Sequence, residues 1–356
     1  MSNHLELLSA EEAARREIPW PDVYFTPGYG SAVEATDGGA WELALWQPGP
    51  IVFPYLRRPV DPALGAAGAG RFDIISPYGY AGTWAPPDLP QGEWRAFRSA
   101  LRAALRQAGA VAEFQRIGGL VPGRDPLLAA DPELSGRHYQ DTIAIDLARG
   151  YDACWEAAES RSRTKTRKAR KRGYAWSCRP AQPEDVRPGS SFRALYDGTM
   201  RRVEADPYYL FPDLYYERLQ AFLGPRLLVL EVRAPDGRIG VSGLAMDWRP
   251  LLHLHLVGSE TWATSDGAGN LLYDGIIRWG AEQGCFERLH VGGGQSPDDR
   301  LFYFKRGFGG EPVPMWLARS VLDPEAYAAL LEARAAATSR AVGELEASGY
   351  FPAYRA

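Results

Sequence analysis

Residues 226–294 constrain the fold most strongly, because strand-like and helix-like hydrophobic patterns alternate there in a recognisable order. Three strand-like segments come first, "RLLVLEVRA", "IGVSGLAMDW" and "LLHLHLVGS". The segment "NLLYDGIIRWGAEQG" then has the period of an amphipathic helix, and "FERLHVGGG" is typical of a further strand. The apolar side of the helix consists of Leu271, Leu272, Ile276, Trp279 and Gly280. This order predicts an α+β fold with a mixed, mostly antiparallel sheet flanked by helices.

The residues before this run add helices to the same domain. Residues 151–173 are predicted to form one helix, and the strand "YAWSCRP" and helices near 183–204 and 212–223 follow. Helices, antiparallel strands, a helix and another strand occur in an order similar to that of a GNAT unit, the acyl-CoA N-acyltransferase-like fold. In that fold a β-bulge or splay between central strands opens a ligand cleft. We therefore expect residues 149–317 to form one GNAT-like domain.

The first half of the chain contains a looser version of the same order. Residues 41–58 predict two strands around a Pro-Gly-Pro turn, and residues 71–84 predict a strand that runs into a Gly/Tyr-rich loop. A helix over 92–109 and the strands "VAEFQRIG" and "DTIAIDL" follow. We expect residues 1–148 to form a first GNAT-like domain.

The C-terminal residues 318–356 are expected to return to this first domain. The stretch 323–347 predicts one helix, with Asp323 as its N-cap and Pro324 in its first turn. The final segment "GYFPAYRA" is rich in aromatic and proline residues, which indicates docking rather than a loose tail. A chain of 356 residues has room for two domains of this kind.

Composition excludes several classes of protein. The formal net charge is −4 and the pI is about 5.9, so the chain is not a generally basic nucleic-acid coat. Its three cysteines form no CxxC pair and no zinc-ligand spacing, which favours a reducing compartment and no metal. No signal-peptide core is apparent, and no apolar run approaches the ~20 residues of a membrane span. We therefore expect a cytoplasmic location.

One segment is strongly basic against this acidic background. Residues 161–172 contain eight Lys or Arg and no acid, spread around most of a helix circumference. A solvated helix is one interpretation of this pattern. Contact with nucleic-acid phosphates is the other, since it requires charge alone and no reading of bases.

Several motifs occur together in one order, namely "SRSRTKTRKARKRG", "FRALYDGTMRRVEADPYYLF", "HLHLVGS", "NLLYDGIIRWGAEQG", "LHVGGG" and "DRLFYFKRGFGG". From about 150 to 317 they resemble the second domain of the FemABX-like proteins, aminoacyl-tRNA-dependent transferases with two GNAT-like domains. The resemblance implies transfer of an aminoacyl group from charged tRNA to an amine, which forms an amide. The acceptor that it implies is a peptide, a peptidoglycan precursor or a natural-product amine. Aminoacyl-tRNA would be the co-substrate, with no cofactor.

The resemblance places the reaction centre at a Phe-Lys pair. It implies that Lys305 stabilises the charge of the transition state and that Phe304 stacks on or walls the nucleotide end. An alternative interpretation is a strand in which Phe302 and Phe304 are core positions and Lys305 faces solvent. The acids Asp298 and Asp299 are expected to cap a loop rather than to act as a base.

Further contacts are expected on helices, strands and one loop. An arginine at position 201 or 202 is expected to clamp a phosphate or carboxylate, and at least one of the tyrosines that follow is expected to pack in the core. His253 and His255 share a strand face and are expected to line the core or the cleft, since no third metal ligand has a suitable spacing. The expected substrate-binding residues are Arg201, Arg202, Tyr208, Tyr209, His255, Tyr78 and Tyr80. The expected tRNA-binding residues are Arg163, Lys165, Arg167, Lys168 and Lys171.

Two glycine-rich segments bear on the identity of the acyl donor. Gly292, Gly293 and Gly294 are expected to form a tight turn, with phosphate binding as a secondary interpretation. Gly267 and Gly269 stand where acyl-CoA-dependent GNAT enzymes have a pyrophosphate loop, but the basic residue that opens that loop is missing. An acyl-CoA-dependent N-acyltransferase is therefore the alternative, and a non-catalytic protein that binds a peptide or RNA is a third possibility. The oligomeric state stays open.

Overall fold

The structure is a computed structural model that describes residues 4–121, 123–294, 296 and 299–356. The strands in chain order are β1 (His4–Ser9), β2 (Ala40–Gln47), β3 (Ile51–Pro59), β4 (Phe72–Ile75), β5 (Ala110–Ile117), β6 (Ser135–Asp146), β7 (Ala175–Pro180), β8 (Leu227–Arg233), β9 (Ile239–Trp248), β10 (Leu251–Ser259), β11 (Arg288–Gly293) and β12 (Glu311–Val321).

The helices in chain order are α1 (Ala10–Ala14), α2 (Pro27–Asp37), α3 (Gln91–Gln107), α4 (Arg124–Ala130), α5 (Tyr151–Ala157), α6 (Ser160–Lys171), α7 (Ser191–Arg202), α8 (Asp213–Leu223), α9 (Thr261–Ser265), α10 (Ala268–Gln283), α11 (Arg300–Arg306), α12 (Pro324–Thr338) and α13 (Val342–Ala347). None of these helices, within the residues described, is long and apolar enough to cross a bilayer.

The chain forms two compact units, and both are mixed layers of helix and sheet. Unit 1 comprises Met1–Tyr139 and Met315–Ala356, and unit 2 comprises Gln140–Pro314. The strand "DTIAIDL", which was expected at the end of the first domain, pairs with β11 in unit 2 from Thr142 to Asp146. This pairing explains why the division of the chain lies before residue 148.

Unit 1 is built on the strand order β1-β2-β3-β4-β5-β12, in which only β4 and β5 run parallel. Helix α3 buries Trp94, Phe97, Leu101 and Leu105 in the unit 1 core, as its period predicts. Arg98 lies on the same side of α3. Its buried guanidinium donates to both oxygens of Glu113 on β5, at 2.9 and 2.8 Å, which compensates for the loss of hydration.

The C-terminal segment docks on unit 1 through the buried carboxylate of Asp73. This carboxylate accepts hydrogen bonds from Arg58 at 2.7 Å, from Tyr354 at 3.3 Å and from Arg355. Asp323 caps α12 as expected, since it accepts a hydrogen bond from the Ala326 amide at 3.0 Å. The predicted single helix over 323–347 is wrong, however. It is divided into α12 and α13, because Ser339 adopts the left-handed conformation (φ 53°).

Unit 2 has the strand order β6-β11-β10-β9-β8-β7, in which only β10 and β11 run parallel. Helix α10 buries Leu271, Leu272, Ile276 and Ile277 in the unit 2 core. The three strands β8, β9 and β10, helix α10 and strand β11 follow in the order that the sequence predicts.

Several predicted elements have different bounds in the structure. The single helix over 151–173 is wrong, because Ala158 is extended and separates α5 from α6. The guanidinium of Arg163 then satisfies the last carbonyls of α5, with bonds of 2.8 Å to Glu156 and 2.7 Å to Ala158. The helix predicted near 183–204 is divided into a 3-10 turn, Pro183–Val186, and α7, which begins at Ser191 after the N-cap Ser190. Strand β12 was not predicted, since Pro312 and Pro314 weaken its strand signal.

The Asp73 cluster allows a test of how the tail is held. We expect Arg355→Ala to lower the free energy of unfolding by about 2 kcal/mol, because it removes a charged partner from a carboxylate that is 1% exposed. Arg15→Ala is the matched control, since Arg15 and Glu11 form an ion pair that is more than 70% exposed. It should change stability by less than about 0.5 kcal/mol in urea titrations. Equal effects of the two substitutions would contradict a structural role for the tail.

Candidate active site

The two parallel strands of unit 2 separate after three residue pairs, which opens a cleft in the sheet. The last pair is His253 on β10 with His290 on β11. Immediately afterwards β10 has a register shift between Leu254 and Leu256, and β11 has one between His290 and Gly292. Bulges re-aim strands and end their pairing, so two bulges at the same level account for the separation. The separation lies between central strands, where the GNAT-like order predicts a ligand cleft.

Helix α11 brings Lys305 to this opening. The Nζ of Lys305 donates a hydrogen bond of 2.6 Å to the carbonyl oxygen of Gly293, which lies beyond the last β11 residue paired with β10. Asp299 is the N-cap of α11 and accepts from the Phe302 amide at 2.7 Å. The strand interpretation of this segment is therefore wrong, and so is the solvent-facing lysine, which is partly buried. Asp298 lies outside the described residues.

The surroundings of Lys305 lower the pKa of its ammonium group toward neutral pH. Burial lowers the pKa of Lys305 to about 8, although the carboxylate of Asp299 opposes this shift. Burial also lowers the pKa of His290 well below its usual value, and His253 and Lys305 lower it further. The rings of His253 and His290 are 5.6 Å apart. Lys305 is therefore mostly protonated at neutral pH, whereas the His290 imidazole is neutral.

His255 occupies the bulge of β10, and its ring is held by Tyr215 of α8. The Tyr215 hydroxyl lies 2.6 Å from Nε2 of His255. Burial lowers the pKa of His255 to about 3, so the imidazole stays neutral at physiological pH. Tyr215 is itself buried and stacks on Phe211, with ring centroids 4.5 Å apart. Sequence reasoning did not identify Tyr215, because an aromatic residue on an amphipathic helix is normally a core residue.

Helix α7 carries the expected acceptor-binding arginines along the part of β10 beyond the cleft. Arg202 donates to the Ser259 carbonyl at 2.7 Å and to Thr199 Oγ1 at 3.2 Å. Arg201 is exposed. The expectation that a tyrosine of the next segment packs in the core is not met: Tyr208 is half-buried, and Tyr209 remains 38% exposed.

Phe304 packs inside unit 2 and is only partly exposed. Its ring makes edge contacts with Tyr273 at 5.0 Å and with Phe308 at 5.4 Å between ring centroids. The ring therefore helps to hold α11 against the unit 2 core.

Gly292, Gly293 and Gly294, at the end of β11, do not form the expected tight turn. Gly292 and Gly293 belong to the strand, and Gly292 has the positive φ (69°) that the bulge requires. Gly294 lies so close to the capping carboxylate of Asp299 that a Cβ would be 2.2 Å from its Oδ1. These glycines serve the bulge and the cap of α11, which leaves phosphate binding without support.

The expected tRNA-binding residues divide into two groups. Arg163 is engaged with α5 carbonyls, and Lys168 donates to the Ser265 carbonyl at 2.9 Å. Arg167 is exposed and lies over the Trp155 ring at 5.3 Å. The side chains of Lys165 and Lys171 make no hydrogen bond or ion pair with any residue that the structure describes. Part of the basic helix thus stabilises the fold, and part is available to a ligand.

Tyr78 and Tyr80 lie in unit 1, in the loop after β4. Both are half-buried, and Tyr80 makes an edge contact with Tyr24 at 5.4 Å between ring centroids. Gly79 between them has a positive φ (101°), and a Cβ there would lie 2.5 Å from the Tyr24 ring. Close packing on Tyr24 therefore accounts for the shape of this loop.

The distribution of lysines in the sequence is a further signal for the site. Only four of the 40 basic residues are lysines, and these are Lys165, Lys168, Lys171 and Lys305. Three lie on α6 and the fourth lies at the cleft. Against this preference for arginine, the four lysines are a compositional signal that singles out α6 and the position of Lys305.

The four lysines also make the Lys305 pKa measurable. With 13C at the lysine Cε, NMR should show four lysine signals, and the signal lost in Lys305→Arg should titrate near pH 8. The signals of the three α6 lysines should be unchanged in Lys305→Arg and serve as internal controls for the assignment. A Lys305 signal that titrates at the ordinary lysine value of about 10.4 would contradict the buried position of its ammonium group.

Comparisons of sequence identify no relative, whereas comparisons of structure do. No protein-family model matches the chain, and no curated protein matches it. The fold is similar to that of FemX, with a TM-score of 0.65 at 13% identity, over 91% of this chain and 98% of FemX.

Two further solved structures have the same fold. A tandem GNAT protein from the clavulanic acid biosynthesis pathway has a TM-score of 0.54 at 13% identity, over 91% of this chain and 99% of that chain. The L-PGS structure from Bacillus licheniformis has a TM-score of 0.51 at 14% identity, over 90% of this chain and 98% of that chain. The chain therefore has the FemX-like double GNAT fold that its motifs predicted.

Proposed function

We propose that the protein is an N-acyltransferase that moves an aminoacyl group from charged tRNA to an amine of a peptide, peptidoglycan-type or natural-product acceptor. The observation that carries this proposal is the partly buried ammonium group of Lys305, held at the opening between β10 and β11. The FemX-like fold and the motif order from about 150 to 317 support the choice of donor.

The reaction forms one amide bond and breaks one ester bond. The acceptor nitrogen attacks the carbonyl carbon of the aminoacyl ester, and the ribose oxygen of the tRNA leaves. The proton that the amine loses balances the proton that the ribose oxygen gains. The carbonyl oxygen carries negative charge in the tetrahedral transition state, so a fixed cation beside it lowers the barrier.

Lys305 is suited to that role because it is both charged and held in place. Its bond of 2.6 Å to Gly293 fixes Nζ at the edge of the cleft. An ammonium group has three N–H donors, and the described residues accept a hydrogen bond from one of them, so the other two can serve an oxyanion or the leaving oxygen. With a pKa of about 8, the group is mostly protonated at neutral pH and can also give up its proton.

His255 is better suited to orient a substrate than to remove a proton. A base with a pKa of about 3 accepts protons poorly at neutral pH. As a neutral imidazole held by Tyr215, it offers a fixed polar group at the bulge beside the cleft. Arg201, Arg202, Tyr208 and Tyr209 would bind the acceptor from α7 and the segment after it. Substrate binding by Tyr78 and Tyr80 of unit 1 stays a prediction.

Helix α6 would contact the phosphates of tRNA through its exposed basic residues. Arg161, Arg167 and Lys171 are exposed, and the nearby acid Asp266 is already paired with Arg172 and Lys168. The negative net charge of the whole chain makes such a local surface the place where a polyanion binds.

The acyl-CoA alternative loses support at the start of α10. A Cβ on Gly267 would lie 2.3 Å from the backbone oxygen of Lys165, so close packing of α6 explains this glycine. The residue just before it is Asp266, an acid where a pyrophosphate would need a basic group. We therefore favour charged tRNA as the donor.

Transfer from charged tRNA tests the proposal directly. With a tRNA pool charged with radiolabelled amino acids and a set of amine acceptors, the wild-type protein should form a ribonuclease-sensitive labelled amide product. Lys305→Ala should lower the rate about 100-fold or more, because it removes the cation beside the oxyanion. Arg306→Ala is the matched control, since Arg306 is the exposed neighbour on α11, and it should stay within about twofold of wild type. A product that forms equally well from acyl-CoA after ribonuclease treatment would contradict the proposal.

The α6 surface is tested by the salt dependence of tRNA binding. Lys171→Glu should weaken binding and lower the slope of log K against log salt by about one, as expected for the loss of one phosphate contact. Arg95→Glu changes the net charge equally on an exposed position of α3, so it controls for overall charge. Equal slopes for both variants would show that α6 does not bind the phosphates.

A further inference from the structure

A groove of about 360 Å³ lies in unit 2, outside the Lys305 cleft. It is formed by one side of α10, the C-terminal end of α6 and the edge strand β7. None of the proposed reaction steps uses it. The residues that give it chemical character are Trp176, Trp279, Arg170, Asp274, Arg278 and Glu282.

Two indole rings line this groove, and both are only half-buried. Trp176 of β7 packs against the backbone of α10, where a Cβ on Gly275 would lie 2.4 Å from its Nε1. Trp279 follows one turn later on α10 and packs on Phe286, with ring centroids 5.8 Å apart. Half-exposed aromatic rings in a groove are the surfaces on which planar rings of ligands stack.

The charged groups of the groove compensate one another. Arg170 is paired with the buried carboxylate of Asp274, which also accepts from Tyr151 at 3.0 Å. Arg278 is paired with Glu282, with 2.7 Å between Nε and Oε1, and both side chains are more than half exposed. With two arginines and two acids the groove has no net charge. It therefore suits an uncharged planar ring rather than a phosphate.

The Arg278–Glu282 pair offers hydrogen-bond donors and acceptors side by side. A guanidinium donates to ring nitrogens and carbonyls, and a carboxylate accepts from amino groups. The edge of a nucleobase presents both kinds of partner. The pair thus complements a base whose face lies on an indole ring.

The exposed basic residues of α6 begin next to the groove. Arg170, which lines the groove, is followed by Lys171 and lies one turn from Arg167. Lys171 and Arg167 are exposed and make no ion pair within the part of the chain that the structure describes. Stacking surfaces beside a basic track are how proteins hold single-stranded nucleic acid, with bases on the rings and phosphates on the cations.

We propose that this groove holds one unpaired base of the RNA whose phosphates bind along α6. The inference rests on the proposed function for the identity of the RNA as tRNA. A base stacked in the groove would set the position of the RNA along α6. The phosphate contacts alone would not set it, because every phosphate of the strand is alike.

Binding of a short RNA tests this without any transfer reaction. The probe is a fluorescently labelled single-stranded RNA of about six nucleotides, and its partner is the same strand with abasic sites. In fluorescence anisotropy at low salt, the wild-type protein should bind the base-containing strand about tenfold more tightly than the abasic strand. Trp279→Ala should remove that preference and leave the slope of log K against log salt unchanged.

Controls separate a local effect from a loss of folding. Trp248→Ala changes another half-buried tryptophan of unit 2 that does not line the groove, and it should keep the tenfold preference. Arg278→Ala alters an exposed side chain that cannot disturb the core, and it should reduce the preference about threefold. Equal binding of both strands by the wild-type protein, or an unchanged preference in Trp279→Ala and Arg278→Ala, would overturn the inference. Because the readout is RNA binding, either result is independent of whether tRNA-dependent transfer is found.

Discussion

The separation of β10 from β11 after His253 and His290 is the constraint on which the candidate site depends. A continuous parallel pair would leave no room for a substrate in the plane of the sheet. The two bulges end the pairing at one level, and Gly292 supplies the positive φ that the β11 bulge requires. The carbonyl of Gly293 then accepts a bond from Lys305, which places an ammonium group at the opening. Asp299 contributes twice, since it caps α11 and keeps a negative charge near Lys305.

The lysines and arginines of the chain are distributed differently. Most cations of the chain are arginines, and many are paired with acids within the fold, as in the Arg98 and Asp73 clusters. The lysines are confined to α6 and the cleft. An ammonium group loses its proton far more easily than a guanidinium when it is buried, so Lys305 can titrate at a position where an arginine would stay charged. On α6, ammonium groups suit the proposed contacts with phosphates, where geometry matters less than charge.

Much of the fold could be predicted from sequence, because apolar periodicity reports the side that a helix or strand buries. The run from β8 to β11 and the N-cap at Asp323 are examples. Periodicity could not show that "LFYFKR" is a helix, because its aromatic residues favour strands and the deciding signal is the cap at Asp299. It also could not show the break at Ala158, which is stabilised by side-chain bonds from Arg163 to the carbonyls of Glu156 and Ala158. Tyr215 and the groove at Trp176 depend on neighbours that are distant in sequence, so only the three-dimensional structure reveals them.

The central claim is that the protonated form of Lys305 supports acyl transfer from charged tRNA. The most direct measurement is the single-turnover rate of that transfer against pH, with an amine acceptor that is already unprotonated at neutral pH. The rate of the wild-type protein should be constant below the Lys305 pKa and fall as pH rises through about 8, because the ammonium group is then lost. The residual activity of Lys305→Ala should lack this descending limb. A wild-type rate that stays level or rises through pH 8 would contradict the claim.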